Sequence, residues 1–88
     1  MKFVSFNKYK AYLESSGYVQ EKETNEYYDA NLTTYLFSKP GEKLKYLVNV
    51  FRNTDKVISI ANGYGSPYLG WDNVIIDMRK KFWKNLCI

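Results

Sequence analysis

Histidine is absent from this chain, and cysteine occurs once, as Cys87. Those two shortages exclude a disulfide framework, a Cys/His zinc site, Ser–His and Cys–His nucleophile pairs, and any imidazole acid or base. A lone cysteine fits a reducing, cytoplasmic setting, and at this position it reads as a small apolar residue at a helix end. No window approaches the roughly 18 uninterrupted apolar residues of a membrane span, so no membrane partner is expected. The first eight residues, Met1 to Lys8, are too polar for a secretory apolar region. Aspartate and glutamate are left as candidates for catalysis. Glu21, Glu23 and Glu26 lie in a polar segment with no apolar surroundings to raise a pKa, and no metal-ligand spacing stands out. The chain is expected to be non-catalytic, without cofactor or metal.

What is present is a globular composition. The 88 residues are 45% apolar and 25% charged, enough for one small domain spanning 1–88. The net charge of +4 is unevenly spread: residues 1–38 sum to −1 and residues 39–88 to +5. A positive half attracts polyanions or an acidic protein surface, and also promotes solubility by itself.

Ser5 is placed to cap a helix over about residues 6–16, with Phe6, Tyr9 and Leu13 on one face and Gly17 at the stop. Strands are predicted at 18–22, 32–38, 43–52 and 57–61, with a turn at Pro40-Gly41 and another at Asn53-Thr54-Asp55. In the third of these, Leu44, Tyr46, Val48 and Val50 face one way, while Lys43, Lys45, Leu47, Asn49 and Phe51 face the other. Asp72 is placed to cap a final helix, since Trp71, Ile75, Met78, Phe82 and Leu86 follow at helical spacing. The expected fold class is α+β: a helix, a three- to four-stranded antiparallel sheet and a helix, with both helices on one face of the sheet.

Four cations, Arg79, Lys80, Lys81 and Lys84, fall within six residues, more than dipole capping of a helix end requires. They are the first candidates for holding phosphates. Lys43 and Lys45, beside Asn49 and Phe51 on the outward sheet face, are the second; the same pattern also keeps an exposed strand soluble. Nine tyrosines are many for a core this small, and Tyr35, Tyr64 and Tyr68, with Phe51, are the candidates for stacking or for an interface. Gly63-Tyr64-Gly65-Ser66 lacks the spacing and the Lys-Ser/Thr of a phosphate-cradling loop and reads as a turn.

The order of Gly17 after the first helix, a hairpin, and a basic helix after a Gly-x-Gly-x-Ser loop resembles double-stranded-RNA-binding domains, whose scaffold small toxins of the HicA type share. Four residues, Pro67 to Gly70, separate the loop from the expected helix, and the histidine that HicA-type toxins depend on is missing. The resemblance implies the scaffold and RNA binding, not the toxin's catalysis. Lys, Asn, Tyr, Ile, Phe and Met supply 40 residues against 12 of Gly, Ala, Pro and Arg, a bias toward A+T-rich codons. With that bias the chain looks like a small accessory protein of a T-even-like phage. The expected function is a non-catalytic RNA- or nucleic-acid-binding accessory protein of the host cytoplasm, inhibiting a host toxin, nuclease or defence complex in an antitoxin-like way. The alternatives are a direct protein–protein inhibitor of a host enzyme and a small structural or assembly subunit.

Overall fold

The computed structural model describes residues 2–24, 31–65 and 70–88. Its elements run β1 (Val4–Ser5), α1 (Phe6–Ser15), β2 (Val19–Thr24), β3 (Leu32–Ser38), β4 (Leu44–Phe51), β5 (Lys56–Tyr64), β6 (Asp72–Val74) and α2 (Lys81–Lys84). All strand pairs are antiparallel, in the order β1-β5-β4-β3-β2. The outer edge of β5 is shared: β1 pairs with Lys56 and Val57, and β6 pairs with Ile60 to Asn62.

The expected fold class is therefore corrected. The described residues form a six-stranded sheet with two short helices, not a smaller sheet between two full helices. One added strand is β1, the two residues that run into the Ser5 cap and pair with β5, and the larger error lies in residues 71–86. Their apolar residues do recur at helical spacing, but Val74-Ile75-Ile76 is a β-branched run that favours extended backbone. The free edge of β5 also offers hydrogen bonds that a helix there would leave unmade. Ile75 is 82% exposed and Ile76 is half-buried, an alternation of period two. Asp77 then turns the chain: its Oδ1 accepts from the Arg79 backbone N–H at 3.0 Å, and its carbonyl accepts from Lys80 N–H at 3.0 Å. What remains helical is a single turn.

α1 follows its local signals closely. The Ser5 hydroxyl accepts from Lys8 N–H, and Gly17 sits at φ +93° where the helix ends. Phe6, Tyr9 and Leu13 are buried against Phe37, Val48, Val50, Val57 and Ile60 of the sheet, and Trp83 of α2 joins the same core. Tyr9 and Trp83 stack with ring centroids 6.0 Å apart, which holds α2 beside α1. Burial raises the Tyr9 phenol pKa well above its ordinary value, with Tyr46, Tyr12 and Tyr18 adding to the effect.

The two ends of the chain close on one another. Ser5 N–H donates to the Leu86 carbonyl at 2.7 Å, Ile88 N–H donates to the Phe3 carbonyl at 3.0 Å, and Val4 bridges to Cys87. Cys87 is a free, buried thiol in that closure, donating to the Trp83 carbonyl.

Candidate nucleic-acid interface

The cations of residues 79–84 lie on the turn before α2 and on α2 itself. Arg79 is engaged within its own turn: its Nε and Nη2 each reach the Asp77 carboxylate at 3.0 Å. That pair lowers the Asp77 pKa and raises that of Arg79. Lys80, Lys81 and Lys84 are exposed, and among the described residues no carboxylate stands within ion-pair distance of them. Three cations are thus displayed without an ion-paired carboxylate among the described residues, and a fourth is paired within its own turn.

Because Trp83 is drawn into the core, the rest of α2 faces outward beside α1. Phe82 meets Tyr12 edge to face at 4.8 Å, and each residue remains 40% exposed. Lys8, one turn before Tyr12 on α1, reaches the Cys87 carbonyl with its ammonium at 2.7 Å. The outcome is a partly exposed Tyr12–Phe82 ring pair between the two helices, with Lys8 one turn before Tyr12 on α1 and the exposed Lys81 next to Phe82 in sequence on α2. Neither Tyr12 nor Lys8 was singled out by sequence pattern. The available signal was their i, i+4 spacing on the flank of the buried stripe of α1.

Lys43 and Lys45 do not join this surface. Lys45 pairs in register with Gly63 on the sheet face opposite the helices, and its ammonium is 3.5 Å from Glu21. Lys43 is exposed just before β4. The sheet face that carries Lys45 is not an open platform. Leu47 and Thr34 are buried on it, and Asn49 is held between two strands, accepting from Thr34 Oγ1 at 2.7 Å and donating to Ser59 Oγ at 3.0 Å. Trp71 covers Gly63 there so closely that a Cβ on the glycine would stand 2.2 Å from the indole.

The candidate aromatics part company as well. Tyr35 belongs to the packed side, stacked on Phe6 at 4.2 Å. Phe51 is 37% exposed and meets Phe3 edge to face at 6.0 Å. Tyr64, at the end of β5, is 68% exposed. Tyr68 lies outside the described residues, as does Ser66 of the glycine loop. Gly63 is a strand residue rather than part of a turn, while Gly65 does adopt a positive φ of 75°.

Among the described residues no helix is long and apolar enough to cross a membrane, and no group of three or more acidic or thiol side chains is placed to hold a metal ion. Comparison with protein-family models, curated proteins and solved structures finds no match.

Proposed function

We propose that this protein is a non-catalytic binder of single-stranded nucleic acid, docking it on the helical surface of α1 and α2. The observation that carries the reading is that Lys80, Lys81 and Lys84, exposed and in no ion pair with a described carboxylate, lie on the same short segment as Phe82, whose partly exposed ring meets Tyr12. Such an arrangement supplies both parts of strand recognition: cations follow the phosphates, and ring faces or edges take unpaired bases. Aromatic rings have nothing to stack on in an intact duplex, which favours unpaired strand. The A+T-rich codon bias supports a phage-encoded accessory protein acting in the host cytoplasm, where a small binder of this kind would interfere with a host toxin, nuclease or defence complex.

The test is fluorescence anisotropy with matched RNA and DNA oligonucleotides, single- and double-stranded, across salt. Three phosphate contacts on a single strand give a slope of log K against log salt of about −2, or roughly a twentyfold loss between 50 and 200 mM. Replacing Lys80, Lys81 and Lys84 together by Glu is expected to abolish binding without unfolding the protein, because all three are exposed. Absence of binding at low salt and micromolar protein, or normal binding by the triple variant, refutes the reading. A host partner retained on a pull-down after nuclease treatment, and lost with the triple variant, assigns the same surface to an acidic protein instead.

A further inference from the structure

A second cationic feature lies at the turn between β4 and β5, away from α2. A cleft of about 390 Å³ is lined there by Phe3, Asn31, Phe51, Arg52, Thr54 and Lys56. Its volume lies within the range of small-molecule sites, roughly 300–1,000 Å³.

Three properties make it more than a surface dent. The first is rigidity. Arg52 N–H donates to the Asn31 carbonyl at 2.7 Å, Thr54 donates to the Phe51 carbonyl through both its N–H and its hydroxyl, and Asn53 takes the left-handed conformation at φ 62°. The second is the pairing of flat and charged groups. Phe3 and Phe51 stand edge to face at 6.0 Å, and the Lys56 ammonium lies 5.4 Å from the Phe3 ring centroid.

The third is electrostatic. The turn contains one acid, Asp55, and its carboxylate points to the other side, where it accepts from the Ser5 hydroxyl and from Asn7 N–H at the start of α1. It is thereby held at the helix end and makes no ion pair with Lys56. Among the described residues lining the cleft, none is acidic.

We infer that this cleft binds a nucleoside phosphate, its base against Phe51 and Phe3 and its phosphate on Lys56. A bare anion would leave the rings unused, and an uncharged aromatic would leave the Lys56 ammonium unused. The same chemistry is offered by a free mononucleotide and by one unit of a strand.

The experiment is an amide NMR titration of the full chain with adenosine 5′-monophosphate, adenosine, inorganic phosphate and a short oligoadenylate. Adenosine 5′-monophosphate is expected to shift the amides of residues 51–56, with adenosine and phosphate each binding about tenfold more weakly or less. Lys56→Ala and Phe51→Ala are expected to weaken it by about tenfold while Lys56→Arg retains it. The Lys80, Lys81, Lys84 triple variant should leave this binding unchanged, so the inference stands or falls apart from the helical surface. Tighter binding of the oligonucleotide than of the mononucleotide identifies a strand as the source, and the reverse identifies a free nucleotide. No shift at residues 51–56 with millimolar nucleotide, or undiminished binding by Lys56→Ala, overturns it.

Discussion

Gly63 and Trp71 offer the sharpest test of how the sheet face opposite the helices is covered. Gly63 has no left-handed backbone to explain it; its requirement is space. An alanine Cβ would stand 2.2 Å from Trp71 Cδ1, 2.3 Å from Cγ and 2.6 Å from Nε1. Comfortable carbon–carbon separation is about 3.5–4.0 Å, so the indole would have to withdraw by more than about 1 Å. Overpacking of this kind costs about 1–3 kcal/mol, set against about 0.5–1 kcal/mol gained by replacing a strand glycine. A net loss of about 1–2 kcal/mol is expected for Gly63→Ala, a fall in urea midpoint of about 0.5–1 M at a typical small-protein slope. The decisive comparison is a double-mutant cycle. With Trp71 replaced by Ala, the added methyl meets no ring, and Gly63→Ala should become neutral or mildly stabilising. A coupling of about 1–3 kcal/mol between the two positions is the signature. Equal cost of Gly63→Ala with and without the indole, or no cost in the parent, would refute close packing of Trp71 on β5.

Other expectations are more direct. Trp83→Ala should cost about 3–5 kcal/mol in chemical denaturation, because this buried ring joins α2 to Tyr9 and the core; a loss below about 1 kcal/mol would mean that α2 is not docked through it. Asp55→Asn should cost about 1–3 kcal/mol, since its carboxylate accepts from both Ser5 and Asn7, and it should couple strongly to Ser5→Ala; additive losses would separate the two groups. Folding should weaken above the ordinary tyrosine pKa of 10.0. The folded protein holds the Tyr9 proton more tightly, so stability is complete below that pH and declines as the unfolded chain ionises. Denaturant midpoints between pH 9 and 11.5 measure this, and Tyr9→Phe should flatten the decline; an identical pH profile for the variant would exclude Tyr9 as its source.

The reach of sequence reasoning here is set by how local each determinant is. Ser5, the Phe6–Tyr9–Leu13 stripe and Gly17 lie within thirteen residues and describe α1 nearly completely. β3 has the bounds its β-branched and aromatic run implies, and the alternation in β4 correctly assigns Tyr46, Val48 and Val50 to the helix side. Residues 71–86 fail because two signals compete within them. A stripe at helical spacing and a Val-Ile-Ile run point to different structures, and the deciding partner is the edge of β5, ten or more residues upstream. That pairing also moves Trp71 from an expected helix face to a cover over Gly63.

The placement of the cations follows from the same long-range closure. Whether Lys80, Lys81 and Lys84 face a partner depends on where the chain end is tied. The tie is a backbone ladder between residues 3–5 and 86–88, which no side-chain pattern announces. Once it forms, Trp83 must turn inward against Tyr9, and the lysines on either side of it are left outward. The same ladder holds Phe3 beside Phe51, so the N-terminal residues that anchor the helical surface also build a wall of the cleft at the β4–β5 turn. Lys43 and Lys45, expected on the outward sheet face, and the cations of residues 79–84, expected on a full final helix, differ in what holds them. Lys45 pairs with Glu21 on the sheet and Arg79 with Asp77 in its own turn, which leaves Lys80, Lys81 and Lys84 exposed on the segment that carries Phe82. It is that smaller, neighbouring set, and not the total of +4, that a polyanion would meet.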